Sequence, residues 1–321
     1  MIVVTGACGF IGSVLIGYLL RNGAAEVVGV DDFSRADKRP NWEDKPWLIP
    51  VERDAFFDWL KEHGGNVTCI YHLGARTDTT LFDDALFDRL NVNYTKQVWE
   101  WCVKAGVPLV YASSAATYGL GEHGYRDDHD VARDLQPLNP YGWSKQNFDL
   151  WALEQDLIPP FWAGIKFFNV YGPNEYHKGR MASVVYHTYR QVHQTGVMKL
   201  FKSHRSDIAH GHQSRDFIYV VDAVQVLHFL METRPNSGLY NLGTGEARSF
   251  LDLATQTFLA MDLTPKISFI DTPKDIRDTY QYYTCADMSK LREAGYAKPF
   301  TTLEEGVSEY VRNYLSSALI Y

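Results

Sequence analysis

Tyr141 and Lys145 stand four residues apart in the run Tyr141-Gly142-Trp143-Ser144-Lys145. On a helix that spacing puts both side chains on one face, one turn apart. A tyrosine with a pKa of about 10 is a poor base at neutral pH. A lysine ammonium beside it, together with the positive ring of an oxidised nicotinamide, favours the phenolate. Lowering the pKa by about three units takes roughly 4 kcal/mol, within reach of two nearby positive charges in a cleft. The phenolate can then take the proton of a substrate hydroxyl while hydride leaves for the nicotinamide. A third group lies upstream. The run Pro108-Leu109-Val110-Tyr111-Ala112-Ser113 reads as a strand that leads into Ser114. Its serines therefore sit at a carboxyl strand end, where a hydroxyl can donate to the carbonyl formed on oxidation. The residues alone leave Ser113 and Ser114 both open for that part.

Such chemistry needs a bound dinucleotide, and the start of the chain reads as its cradle. Ile2-Val3-Val4-Thr5 is a β-branched run, followed by Gly6-Ala7-Cys8-Gly9-Phe10-Ile11-Gly12 and an apolar helical stretch over 13–20. Strand, glycine turn and helix in the spacing GxxGxxG form a variant of the dinucleotide fingerprint. Gly6 allows the tight turn, Gly9 lets the backbone approach a pyrophosphate, and Gly12 lets the helix pack against the strand. The helix N-terminus offers free N–H groups and a positive dipole end to phosphate. A second strand, Glu26-Val27-Val28-Gly29-Val30, ends at Asp31-Asp32. Asp31 lies where a ribose-binding carboxylate belongs. It suits a 2′-hydroxyl and repels a 2′-phosphate, whereas Arg35, Lys38 and Arg39 can neutralise that phosphate. The expected cofactor is NADP, with NAD as the alternative.

The elements that must position these groups follow from the alternation of short apolar runs and helical stripes. Strands are expected over 67–73, 108–113 and 161–167, and a helical stripe is formed by Thr95, Val98, Trp99, Cys102 and Val103. This rhythm predicts an α/β fold, a doubly wound parallel sheet with a smaller C-terminal α/β lobe. The dinucleotide domain is expected over 1–170, with 217–238 returning to it. A substrate lobe is expected over 171–216 and 239–321, with helices near 287–295 and 303–316. The 321 residues are 45% hydrophobic and 22% charged, which suits one large globular domain or two small ones. A net charge of −8 argues against a general binder of nucleic acid or anionic membranes. No apolar stretch is long enough to span a bilayer, and the β-branched start leaves no room for a targeting segment. Cys8, Cys69, Cys102 and Cys285 have no CxxC spacing, so neither a zinc ribbon nor a disulfide framework is expected, and a reducing cytosol fits.

The glycine turn, the segment Ser113-Ser114-Ala115-Ala116-Thr117-Tyr118-Gly119, the YGWSK run and Phe167-Phe168-Asn169-Val170-Tyr171-Gly172-Pro173 stand in one order. By these motifs the chain resembles the extended short-chain dehydrogenase/reductases, from residue 1 to about 315. The resemblance implies catalytic roles for Ser114, Tyr141 and Lys145. It also implies a nicotinamide wall of Leu73, Gly74, Ala75, Arg76, Thr77 and Asn91, with Val170 nearby. Dehydratases of this family carry an Asp-Glu pair where Ala115 and Ala116 stand, and two methyl groups cannot act as acid or base. The sharper likeness is to the sugar-nucleotide epimerases that invert C6 of ADP-D-glycero-D-manno-heptose for the lipopolysaccharide inner core. It is carried by the run His177-Lys178-Gly179-Arg180-Met181-Ala182-Ser183-Val184 and by Arg215-Asp216-Phe217-Ile218-Tyr219-Val220.

Inverting a carbinol centre through a ketone needs an acid/base on each face, and the resemblance assigns the second to Lys178. It places Asn169, Arg180, His187, Phe201, His204, Arg215 and Tyr280 around the ADP-heptose, and it implies a homo-oligomer. Arg215 is expected at a phosphate or sugar, with an ion pair to Asp216 as the alternative. His204, His210 and His212 have no cysteine or HExxH context, so no metal is expected. His72 is expected as a buried, hydrogen-bonded ring. Two other readings compete. One is a different sugar-nucleotide epimerase or reductase, such as a UDP-hexose 4-epimerase. The other is an NADP-sensing regulator without turnover, which would have lost the tyrosine or the lysine.

Overall fold

The computed structural model describes residues 1–45, 48–277 and 280–321. Among them, seven strands form one parallel sheet. The first half runs β1 (Ile2–Thr5), α1 (Phe10–Arg21), β2 (Val27–Asp31), β3 (Leu48–Glu52), α2 (Phe56–His63) and β4 (Cys69–His72). It continues through α3 (Asp84–Phe87), α4 (Tyr94–Ala105), β5 (Leu109–Ser114), α5 (Pro140–Leu153) and β6 (Trp162–Phe167). The second half contains β7 (Asn169–Tyr171), α6 (Val184–Thr195), β8 (Met198–Phe201), β9 (Ser214–Tyr219), α7 (Val220–Thr233) and β10 (Gly238–Leu242). Then come β11 (Ala247–Ser249), α8 (Phe250–Ala260), β12 (Ile267–Ile270), α9 (Lys274–Arg277), α10 (Ser289–Glu293) and α11 (Leu303–Glu309). The sheet order is β10-β6-β5-β4-β1-β2-β3. It is the Rossmann-like order, with the chain reversing direction between β1 and β4. Parallel strands buried on both faces read as near-continuous apolar runs, which is how β1, β2 and β5 look in the sequence.

Alternation along each strand divides the core between the two faces. Val4 points to the side of α1 and α7, and Val3 to the side of α2, α4 and α5. The first face packs Val14, Leu15 and Ile16 of α1 against Val224 and Leu227 of α7. The second packs Phe56, Trp99 and Phe148. Each such fully buried side chain contributes about 1.5–3 kcal/mol. A third cluster joins Val192 of α6, Leu200 of β8 and Phe258 of α8. It lies outside the main sheet, on a two-stranded pair of β8 and β12.

Two elements depart from the sequence reading. The strand expected at 217–222 is β9, ending at Tyr219, and it does not enter the main sheet. It pairs parallel with β7 and antiparallel with β11. The edge beyond β6 is taken by β10, which pairs with β6 from Gly238↔Ala163 to Leu242↔Phe167. That leaves β7, one residue past β6, to receive β9. The helix expected near 303–316 runs from Leu303 to Glu309 and then widens into a π-type turn over Tyr310–Leu315. A similar wide turn, Asp88–Asn93, joins α3 to α4. Such turns re-aim side chains, and this one carries Asn91.

Candidate active site

The carboxyl ends of the parallel strands face a cleft of about 650 Å³. Its floor is the glycine turn. Gly6 has φ +70°, and a Cβ there would lie 2.8 Å from Gly74 Cα. A Cβ on Gly12 would lie 2.2 Å from the Gly6 carbonyl oxygen, so α1 can start where it does only with glycine at 12. No side chain caps α1. The first i→i−4 bond runs from Ser13 N–H to the Gly9 carbonyl at 3.1 Å. The N–H groups of Phe10, Ile11 and Gly12 precede it, and these residues line the cleft. This is a concave site for a pyrophosphate.

At one end β2 delivers Asp31. Its Oδ2 accepts the Cys8 N–H at 2.9 Å, and its Oδ1 accepts the Asp32 N–H at 2.8 Å and pairs with Lys38 Nζ at 3.1 Å. Asp32, Arg35, Lys38 and Arg53 line the same end. Arg53 was not foreseen. It follows β3, and the pairing of β3 with β2 brings it beside Asp31. A sequence reading that had placed a strand at 48–52 would have found it.

The wall on the β4 side is made by Leu73, Gly74, Ala75, Arg76 and Thr77. Asn91, expected among them, stands behind this wall and is 2% exposed. Its Oδ1 accepts the Arg76 N–H at 2.8 Å, and its Nδ2 donates to the Arg76 carbonyl at 3.0 Å and to Ser144 Oγ at 2.9 Å. It clamps the wall instead of lining it.

The residues expected as acid/base groups close the cleft. Asn139 caps α5 by accepting the Gly142 N–H at 2.8 Å, and Pro140 opens the first turn. Tyr141 and Lys145 then face the end of β5. The Tyr141 hydroxyl is hydrogen-bonded to Ser114, which lowers its pKa, while burial pushes it up more strongly. Lys145 Nζ donates to the Ala112 carbonyl at 2.7 Å, and burial pushes its pKa down to about 8. The residues of the chain alone therefore leave the phenol above its ordinary range. Burial and the charge of Asp149 raise the phenol, and the Ser114 hydrogen bond opposes them. Beneath this group lies a closed ion pair. Lys166 Nζ meets Asp149 Oδ2 at 2.8 Å and Thr117 Oγ1 at 2.8 Å, and Asp149 also accepts from Ser113 Oγ at 2.6 Å and Tyr111 Oη at 3.0 Å.

Lys178 enters from the opposite side, on the turn Tyr176–Met181. Its Nζ lies 5.0 Å from the centre of the Phe10 ring, and burial pushes its pKa down while Glu175 opposes the shift. Val170 and the unforeseen His177 line the cleft beside it. Burial, with Lys38 and Lys178 nearby, pushes the His177 ring down to about 4.

The seven residues assigned to the sugar nucleotide are not part of the lining of this cleft, and three of them, Phe201, Arg215 and Tyr280, stand together. Asn169 is exposed at the start of β7. Arg180 is exposed, and its carbonyl lies 3.3 Å from His187 Nε2. Arg215 is 7% exposed, with its guanidinium 5.5 Å from the centres of the Tyr280 and Phe250 rings. Tyr280 meets Phe201 edge-on at 6.4 Å. Arg215 donates to the carbonyls of Ser214 and Gln281. Among the described residues no carboxylate pairs with Arg215. Asp216 is taken up by the N–H groups of Thr244, Gly245 and Ala286 and by the Thr244 hydroxyl. Arg215 is thus a buried cation held, among the described residues, by carbonyl oxygens and two aromatic rings. His204 Nε2 accepts from the Thr272 N–H at 3.4 Å, and His210 Nδ1 accepts from the Ser203 N–H at 3.1 Å. Among the described residues no group of three His, Cys, Asp or Glu side chains is placed to hold a metal ion.

The cleft fits a nicotinamide dinucleotide in each part. It has a glycine cradle with unbonded N–H groups, a carboxylate and three cations at one end, and a tyrosine–serine pair at the other. Known proteins agree. The chain is 45% identical to an ADP-L-glycero-D-manno-heptose-6-epimerase of Fusobacterium nucleatum, over 98% of each chain. It is 46% identical to one of Nitratidesulfovibrio vulgaris, over 99% of each. The crystal structure of the Helicobacter pylori ADP-L-glycero-D-manno-heptose-6-epimerase superposes with a TM-score of 0.80 at 26% identity, covering 97% of this chain and 95% of that one. MoeE5 in complex with UDP-glucuronic acid and NAD superposes with a TM-score of 0.79 at 27% identity, covering 99% of both chains. The model of the NAD dependent epimerase/dehydratase family matches residues 2–243, and the chain belongs to that family.

Proposed function

We propose that the protein epimerises C6 of ADP-D-glycero-D-manno-heptose to give ADP-L-glycero-D-manno-heptose, working with NADP. The observation that carries this reading is that Tyr141 and Lys178, on separate elements, line one cleft together. A nicotinamide held in this cleft would supply the hydride acceptor and donor for C6, with no net redox change. Tyr141 Oη accepts the proton of the C6 hydroxyl on one face, and Ser114 Oγ donates to the oxygen as it becomes a carbonyl. Lys145 stays below the pair as an ammonium, held on the Ala112 carbonyl. Once the ketone has turned over in the cleft, its oxygen faces Lys178, which gives it the proton, and hydride returned to the opposite face of C6 inverts the centre. Its lowered pKa suits a group that must both lose and regain a proton.

The second lobe, 171–216 with 239–321, holds the nucleotide end in this reading. Arg215 binds the diphosphate between Tyr280 and Phe250, and Asn169, Arg180, His187, Phe201 and His204 surround the rest. NADP is favoured over NAD by the three cations at the Asp31 end. Both Asp31 oxygens are already engaged by Cys8, Asp32 and Lys38. A homo-oligomer is part of the same proposal.

The test is to incubate the purified protein with ADP-D-glycero-D-manno-heptose, without added cofactor, and to follow the sugar by proton NMR. Appearance of the L-glycero isomer supports the assignment. No conversion, even with NADP added, overturns it, and turnover of a UDP-hexose instead would assign a 4-epimerase. In the Tyr141→Phe variant, conversion should fall at least about a hundredfold while nicotinamide stays bound.

A further inference from the structure

The buried histidine at the end of β4 takes no part in the chemistry above. His72 is 3% exposed. Its Nδ1 lies 2.7 Å from Thr5 Oγ1 and its Nε2 lies 2.9 Å from Thr95 Oγ1. The direction of every bond follows from its neighbours. Thr95 Oγ1 lies 2.5 Å from the Asn91 carbonyl oxygen, which can only accept, so the hydroxyl proton goes there. Thr95 must then accept from His72, which puts the ring proton on Nε2. Nδ1 is left bare, so Thr5 Oγ1 donates to it and uses a lone pair to accept the Gly74 N–H at 3.0 Å. The opposite tautomer would set a Thr95 lone pair against the Asn91 carbonyl at that same 2.5 Å. The result is one directed chain from Gly74 N–H through Thr5, His72 and Thr95 to the Asn91 carbonyl.

Both ends of the chain meet the active site. Gly74 lines the cleft. Asn91 grips both backbone groups of Arg76 and donates to Ser144 Oγ, which donates in turn to the Tyr141 carbonyl at 2.7 Å. The ring face of His72 lies 5.7 Å from that of Tyr94 at 18°. Tyr94 lines the cleft, and its hydroxyl donates to the Arg53 carbonyl at 3.1 Å. Burial, with the charge of Lys145 acting the same way, pushes the ring pKa down to about 3. Protonation would put a second donor against the Thr5 hydroxyl.

We propose that His72 is a positioning residue, a neutral imidazole locked as the Nε2–H tautomer. It sets the 73–77 wall through Thr5 and the start of the catalytic helix through Thr95 and Asn91. The proposal rests on the reading of Tyr141 as the acid/base.

The experiment has two arms. In the first, the holoprotein carries ¹⁵N-histidine and is studied by NMR. His72 is expected to hold a single ring proton, on Nε2, unchanged from about pH 6 to about pH 9. A proton on Nδ1, or titration in that range, overturns the proposal. In the second arm, Thr95→Val and His72→Leu are compared with His72→Gln, which can still donate to Thr95. Thr95→Val should keep its melting temperature within a few degrees and lose turnover by about tenfold, with KM for the sugar nucleotide little changed. His72→Leu should lose turnover and release nicotinamide on gel filtration, and His72→Gln should recover part of both. Unchanged turnover in Thr95→Val and His72→Leu overturns the proposal. Tautomer and retained nicotinamide are read without any sugar. If both appear and ADP-heptose stays unconverted, the substrate assignment fails and the positioning role stands.

Discussion

At the scale of single residues, the site is a set of groups held away from their ordinary ionisation. Lys145, with a pKa of about 8, is an ammonium below that value and neutral above it. A reaction that needs its charge must weaken as pH rises through it, so the rate with ADP-heptose should fall above about pH 8. A rate still climbing at about pH 9 would show that the ammonium is dispensable. Arg215 makes a complementary case. A buried guanidinium whose neighbours among the described residues are carbonyls and aromatic rings gains most from a bidentate oxyanion. Arg215→Lys, which keeps the charge and loses the fork, should raise KM about tenfold or more and leave kcat nearly unchanged. Steady-state kinetics at two or three substrate levels would separate the two effects.

At the scale of elements, the glycine turn shows what a sequence can announce. β1, the turn and α1 are contiguous, so the neighbour that Gly9 and Gly12 must clear, the Gly6 carbonyl, is itself local, and spacing alone placed them. Gly12→Ala should put a methyl against the Gly6 carbonyl and cost about 1–3 kcal/mol together with most of the nicotinamide binding. Calorimetry and the absorbance of released nucleotide would measure both. Ser114, Tyr141 and Lys145 were legible for a related reason. A strand end and a four-residue helical spacing fix direction without reference to the rest of the chain. Other features were hidden because they depend on distant pairing. Asn91, expected at the nicotinamide wall from the resemblance, sits on a π-type turn and bonds the backbone of Arg76 behind that wall. Arg53 comes to the Asp31 end of the cleft through the pairing of β3 with β2, and β9 lies outside the main sheet, whose edge beside β6 is held by β10. Neither choice is written in local periodicity.

At the scale of the whole molecule, one parallel sheet gathers the cradle, the wall and the acid/base pair at the ends of β1, β2, β4 and β5. A ligand bound there touches several strands of a single cooperative unit. Removing nicotinamide should therefore lower the melting temperature of the entire chain, not of one part. At a hundredfold excess over Kd the effect is about 2.7 kcal/mol, or about 4 °C for a chain of this length. A calorimetric scan of the stripped protein, with and without added NADP, would show it as one shifted transition. Among the described residues no helix is long and apolar enough to cross a membrane.

The ion pair of Lys166 and Asp149, sealed between β6 and α5, constrains how this molecule can change through time. Loss of either partner strands a charge in the core at a cost of about 3–5 kcal/mol, a large share of the stability of an ordinary domain. Replacement of both by apolar residues removes the buried charges but takes a partner from the Ser113, Tyr111 and Thr117 hydroxyls, so those too must change before the exchange is neutral. The two positions are thus bound to one another as alleles. Each can be inherited in its present form or exchanged with its partner, but the single steps between lie in a valley that selection for folded protein would rarely let a lineage cross.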